Sequence, residues 1–192
     1  LFFIPYVRIF YNMFVEWSKF AGWRVLEFFL EKNRRMHLNG LARELKISPR
    51  TAQVYLHAYF KEGLLEKERI ANSDFYWLKE TPLALELRKA LMLSKIQSGL
   101  GKFLEQNPSI SALAVYGSIA KGTFDENSDI DLIAISQLKQ LKIEMLKKIG
   151  QKTGLEAKLQ VFSIAEWKQM LESKDYFAVS VLKNKIAVKG EL

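Results

Sequence analysis

Cysteine is absent from this 192-residue chain, which excludes disulfides, thiolate metal centres and cysteine nucleophiles. Histidine is nearly absent: His37 and His57 are the two present, too few for a histidine-rich metal centre. No apolar run approaches the ~20 residues that span a bilayer. Leu1 to Phe14 is apolar and aromatic, but Arg8 and Asn12 interrupt it, and it lacks the basic start and small-residue cleavage site of a signal peptide. The expectation is a soluble, cytoplasmic protein. Internal repeats and low-complexity segments are also missing. Acid is in deficit: 29 Lys and Arg against 21 Asp and Glu leave a net charge of +8, which favours anionic partners such as nucleotides, nucleic acid or an acidic protein face. At 49% hydrophobic and 26% charged, the composition is that of an ordinary globular protein. The length suits one large domain or two small ones.

What is present is a segment in which Gly117-Ser118 is followed, after ten residues, by Asp129-Ile130-Asp131. An apolar run, Ile110 to Tyr116, ends at the Gly-Ser pair, and a second, Ile130 to Ile135, carries the aspartates at its start. On a strand, residues i and i+2 point to one face, so Asp129 and Asp131 can aim at one point while Ile130 and Leu132 turn into the core. Magnesium takes oxygen ligands, usually one or two carboxylates plus substrate phosphates. Gly117 allows close approach of backbone to phosphate, Ser118 adds a hydroxyl, and the first amides of a helix opening there favour an anion.

The stretch Gly-Ser-Ile-Ala-Lys-Gly through Ser-Asp-Ile-Asp-Leu resembles the signature of the DNA polymerase β nucleotidyltransferase superfamily, above all its small prokaryotic branch, the minimal nucleotidyltransferases. The resemblance implies that Gly117 and Ser118 grip a triphosphate, that Lys121 touches phosphate, and that Asp129 and Asp131 are the catalytic carboxylates and bind divalent metal, Mg²⁺ or Mn²⁺. The substrate it implies is ATP or another NTP. In such enzymes a hydroxyl attacks the α-phosphate and pyrophosphate leaves. Small relatives often act as antitoxins that transfer AMP to a HEPN-type toxin. A toxin of that kind or another protein is thus one acceptor class; nothing in this chain identifies it.

The N-terminal part has a different pattern. Trp17 to Glu31 reads as a helix, with Trp23, Leu26, Phe29 and Leu30 at helical spacing. Leu38 to Leu45 is a short helix, Lys46-Ile47 a turn, and Ser48-Pro49 an N-cap and first-turn proline for a helix from Arg50 to Glu62 that Gly63 ends. Two strands follow, Leu64 to Ile70 and Phe75 to Lys79, around a turn at Asn72-Ser73-Asp74. From Glu16 to Glu80 this resembles a winged helix-turn-helix domain. Ala52, Tyr55, Leu56 and Tyr59 share the core face of the second helix. Arg50, Gln53, Val54 and His57 share the outer one, which suits a major groove. Lys46, Lys67 and Arg69 join Arg50, Gln53 and His57 as candidate contacts to double-stranded DNA. Six basic residues from Lys32 to Arg50 face one acid, Glu44, a surplus that attracts phosphates. Packing or dimerisation is the other use of such a domain, and a homodimer stays open.

The fold expected is α+β: a winged helix-turn-helix with an N-terminal helix over 1–80, a connecting helix over 81–107, and a nucleotidyltransferase-type mixed sheet with helices over 108–192. Leu1 to Trp17 is read as an apolar helix packed on its own domain or on a partner. Leucine in first place leaves open a fragment, a literally translated start codon, or a start at Met13. Thr81-Pro82 opens the connecting helix, Gly99 and Gly101 weaken its end, and Asn107-Pro108 stops it. After the aspartates, Leu138 to Gly150 reads as an amphipathic helix, Glu156 to Phe162 as a third strand, and Ile164 to Ser173 and Tyr176 to Leu182 as helices. Ile186 to Val188 is a last short strand.

One departure stands out. Active relatives place a third acidic residue on the third strand; here that position is Gln160, and glutamine cannot serve as a general base. Glu156 shares its strand parity but lies about 13 Å away along an extended strand. Two functions follow. One is a magnesium-dependent transferase of nucleotide monophosphate, AMP from ATP first among them, to a hydroxyl. The other is a DNA-binding transcriptional regulator whose C-terminal domain is catalytically weak and senses nucleotide.

Overall fold

The computed structural model describes residues 19–32 and 34–192; the expected helix from Leu1 to Trp17 lies outside the described residues. The chain divides into two compact units between Ser94 and Lys95.

In the first unit, α1 (Ala21–Lys32) buries Val25, Leu26, Phe28, Phe29 and Leu30 on its inner side. Lys19 and Phe20 form a turn before it. The two-residue strand β1 (Met36–His37) leads into α2 (Leu38–Leu45). Lys46, at φ 51°, turns the chain. Ser48 then accepts a bond from the Thr51 backbone N–H at 3.0 Å, and Pro49 fills the first position of α3 (Pro49–Lys61). That proline has no N–H to leave unbonded there. Strands β2 (Leu65–Ile70) and β3 (Ser73–Leu78) form a hairpin, and β1 pairs with β3, so the sheet order is β1-β3-β2. Ile70 pairs with Ser73, which makes Ala71-Asn72 the turn. The expected turn at Asn72-Ser73-Asp74 is therefore corrected: Ser73 and Asp74 are strand residues. Ala71 sits at φ 53°, the positive φ that two-residue hairpin loops need to match strand twist. The core gathers Phe29, Leu30, Leu41, Leu56, Leu65, Leu78, Ala84 and Leu91.

Helix α4 (Pro82–Gln106) starts under the cap of Thr81, whose hydroxyl accepts from the Ala84 N–H at 3.1 Å. Gly99 and Gly101 lie inside it and do not weaken an end. A Cβ on Gly99 would sit 2.4 Å from Ile149 Cγ1, so this glycine lets a second helix approach. In the second unit follow β4 (Ile110–Tyr116), α5 (Gly117–Lys121), β5 (Ile130–Ser136), α6 (Glu144–Thr153), β6 (Ala157–Phe162), α7 (Ile164–Glu172), α8 (Tyr176–Lys183) and β7 (Ile186–Lys189). The sheet order is β6-β5-β4-β7, with β5 and β6 parallel and the other pairs antiparallel.

Helix α6 starts six residues later than its amphipathic pattern suggests. Buried Asn107 is the cause. Its side chain donates to the Lys142 carbonyl at 3.0 Å and accepts from the Lys142 N–H at 2.8 Å. These bonds satisfy the Lys142 backbone outside a helix and hold it in the loop over 137–143.

Register sorts the sheet into two faces. Pairing places Ala114 and Tyr116 beside Ile133 and Asp131, and these beside Gln160 and Lys158. Trp167, Ala178 and Val181 cover the apolar part of this face. The polar part, at the start of β5, is left open. No helix among the described residues is long and apolar enough to cross a membrane.

Candidate functional site

The site forms where β4 ends and β5 begins. Tyr116 and Asp131 are paired neighbours on the antiparallel ladder. The chain leaves Tyr116 and turns at once through Gly117, at φ 72°. This turn folds directly over the carboxylate: a Cβ on Gly117 would lie 2.3 Å from Asp131 Oδ2. Glycine is needed twice over, for the positive φ and for the space. Ser118 follows in α5, where Ile119 and Ala120 are buried, and Gly122 at φ 76° closes the turn. Lys121 is exposed at the end of α5.

Asp129 is presented by a tight loop. Asp125 Oδ1 accepts from the Asn127 N–H and the Ser128 hydroxyl, each at 3.0 Å. Next, the Ile130 N–H donates to the Glu156 carbonyl at 2.7 Å, which locks the start of β5 onto β6. Ile130 and Leu132 are fully buried, so the alternation turns Asp129 and Asp131 outward together. Partial burial raises the Asp131 pKa from its ordinary value; Asp129 adds to the rise and Lys158 opposes it. Tyr116 beside it is raised too, by burial first and then by the Asp131 charge. Its ring stands edge-on to Phe177 at 5.5 Å. A carboxylate whose charge is disfavoured in this way gains from a cation.

Gln160 is exposed and pairs with Ile133, so it lies on the face of Asp131 and not in the core. Glu156 precedes β6 and contributes its backbone carbonyl at this point. Sequence reasoning missed Lys158, which lies between Glu156 and Gln160 on the same strand parity. It pairs with Asp131 in register, and its Nζ donates to Asp129 Oδ2 at 2.6 Å. That bond raises the Lys158 pKa. Parity with position 160 puts residue 158 on the same face, but only the β5–β6 register shows that it meets the aspartates.

The two carboxylates suit a divalent ion that keeps open positions for phosphate oxygens and water. Among the described residues no cluster of three or more His, Cys, Asp and Glu gathers for a metal. The donor set is the pair, with Gly117 as the cradle beside it. Residues 98–188 match the family model described as "Nucleotidyltransferase domain". The nucleotidyltransferase match thus spans Gly117, Ser118, Lys121, Asp129, Asp131, Lys158 and Gln160. No curated protein matches the chain. Among solved structures, a toxin-antitoxin crystallised with AMP-PNP is 20% identical, with a TM-score of 0.36 over 50% of this chain and 73% of that one. A candidate nucleotidyltransferase from Sulfolobus solfataricus is 15% identical, with a TM-score of 0.33 over 54% and 84%. A candidate transcriptional regulator from Rhodococcus sp. RHA1 is 21% identical, with a TM-score of 0.31 over 64% and 46%.

In the first unit, Arg50, Gln53, Val54 and His57 are exposed along α3, while Ala52 and Leu56 are buried and Tyr55 and Tyr59 half-buried. Arg69 and Gln53 line one cleft of about 330 Å³ with Asn39 and Asp74. The basic surplus is smaller than its count. Lys32 and Arg34 both bond Glu44, Arg35 bonds Glu68 at 2.8 Å, and Lys67 bonds Asp74 at 3.1 Å. Among the described residues Lys46, Arg50 and Arg69 form no ion pair. All three are exposed and open to an outside anion.

Proposed function

We propose that this chain is a divalent-metal-dependent nucleotidyltransferase that moves a nucleotide monophosphate, AMP from ATP in the first instance, onto a hydroxyl of a protein or small molecule. The observation that carries the reading is the joint placement of Asp129 and Asp131 on one sheet face beneath the Gly117 turn. Asp129 and Asp131 would hold Mg²⁺ or Mn²⁺. Bound there, the ion would neutralise charge on phosphate oxygens and on the attacking oxygen. The Gly117 backbone and the Ser118 hydroxyl meet the polyphosphate, and Lys121 adds a positive charge at its edge. Gln160, on the same face, can hydrogen-bond the acceptor hydroxyl and orient it, but cannot take its proton. The acceptor's proton therefore goes to water or to the phosphate itself, and the expected rate is low. Incubation with each labelled nucleotide, Mg²⁺ and a lysate from the source organism tests the reading and reveals the acceptor. A folded protein that transfers no label with any nucleotide rejects it.

A second reading is favoured by Gln160 together with the exposed cations of α3. Here the N-terminal unit is a winged helix that binds duplex DNA through Lys46, Arg50, Gln53, His57, Lys67 and Arg69. The C-terminal unit senses nucleotide without turning it over. Affinity for fragments of its own promoter, with and without Mg²⁺-ATP, decides it. Equal affinity in both conditions removes the sensor.

A further inference from the structure

The Lys158–Asp129 bond has a consequence for how the site fills. Lys158 Nζ stands 2.6 Å from Asp129 Oδ2, an oxygen that a metal ion on this pair would use. The lysine side chain is 52% exposed and the aspartate 33%, so the contact is at the mouth of the site and not locked in a core. The β5–β6 register makes it a built-in feature, because Lys158 pairs with Asp131 and so rises from the same face. One position further, where a third carboxylate would add negative charge, Gln160 adds none. The carboxylate pair thus has one positive charge, Lys158, bonded to it.

We propose that Lys158 is an internal counter-cation of the carboxylate pair. A divalent ion has to displace it from Asp129, and the nucleotide's polyphosphate then receives it. An ammonium on a flexible four-carbon stem can make that exchange, and it binds phosphate as a point charge. Metal alone binds weakly, since it competes with a cation already in place. Metal with nucleotide binds strongly, since the displaced lysine gains a partner. The two ligands are coupled through one side chain, and the coupling is reciprocal. This rests on the nucleotidyltransferase reading of the site.

The test is Mn²⁺ binding to the metal-free full chain, read by the loss of the free-ion paramagnetic resonance signal. It is run with and without a non-hydrolysable ATP analogue. Lys158→Met is expected to bind Mn²⁺ alone roughly fivefold tighter than the wild type, the upper range for an exposed pair. Its gain from the analogue should be smaller than the wild type's. Lys158→Arg keeps the charge and should stay near the wild type. Lys148→Met removes the same charge from α6, beyond the site, and should change nothing. Equal Mn²⁺ affinity in the wild type and Lys158→Met, with binding lost in Asp129→Asn, overturns the counter-cation and leaves the metal site standing. Absence of Mn²⁺ binding from both wild type and Lys158→Met, with and without the analogue, overturns both.

Discussion

At the scale of the residue, Gly117 is the position on which the site's shape depends most directly. Gly117→Ala asks for a Cβ at φ 72° and 2.3 Å from Asp131 Oδ2. The strain at positive φ costs about 1 kcal/mol. The larger effect is on Asp131, which has to swing off the shared face. Mn²⁺-nucleotide affinity should fall at least about tenfold, as expected when one of two carboxylate ligands is misplaced, while the melting temperature falls only a few degrees. Calorimetric titration and a thermal melt separate the two. Asp129→Asn and Asp131→Asn keep shape and remove charge, so they should abolish metal-nucleotide binding without unfolding the chain. Gln160→Asp restores a carboxylate on the same face and should raise labelled-nucleotide transfer with little change in nucleotide affinity. If it lowers the rate of an already active wild type, position 160 is not the missing base. These residues were legible because strand parity is strict: two aspartates two apart had to share a face. Lys158 was not, because its meaning lies in cross-strand register, which pairs residues far apart in sequence.

Elements are held by their ends, and two ends invite measurement. Ser163 caps α7 in a reciprocal box: its hydroxyl accepts from the Glu166 N–H at 3.2 Å, and Glu166 accepts from the Ser163 N–H at 2.8 Å. Lys139 bonds the same carboxylate at 2.6 Å, and this bond, with those from Ser163, lowers the Glu166 pKa to about 2. Ser163→Ala should cost about 1 kcal/mol in denaturant unfolding. Glu44 ties α2 to Lys32 and Arg34, and its pKa is lowered, first by the Lys32 bond. A lowered folded-state pKa contributes stability above the unfolded value of about 4.3 and loses it as pH falls through the folded value. Glu44→Gln should therefore be less stable than the wild type at neutral pH, by at most about 1 kcal/mol for a surface network. The gap should close in acid, and unfolding curves at a series of pH values check both sign and window. Caps such as Ser48-Pro49 and Thr81-Pro82 were readable because they are local chemistry. The start of α6 was not: its pattern runs back to Leu138, and buried Asn107, a distant residue, overrides it.

For the whole molecule, charge is the property with the widest reach. Within the first unit Glu44, Glu68 and Asp74 bind four of the cations, which leaves those four less open to an outside anion. Lys46, Arg50 and Arg69 are exposed and form no ion pair among the described residues. If this surface takes duplex DNA, log affinity should fall linearly with log salt. Arg50→Ala should then weaken binding by about 1–3 kcal/mol if that arginine reads a base, and Lys148→Met should leave it unchanged. Fluorescence anisotropy at stepped salt concentrations measures both. Composition could not reveal this distribution, because a count of charges is silent on which of them already have partners.

The position of β6 at the rim of its sheet has an evolutionary consequence. Strand β5 lies between two neighbours, and its alternate residues Ile130 and Leu132 are fully buried, so the backbone that carries Asp131 is anchored in the core while the carboxylate faces outward. Among the described residues strand β6 has a neighbour on one side, and both Lys158 and Gln160 are exposed. Mutations at these two positions are nearly invisible to selection on folding. Under the proposed function, single codon changes at the rim can thus alter catalytic power while Asp129, Asp131 and the Gly117 turn stay in place.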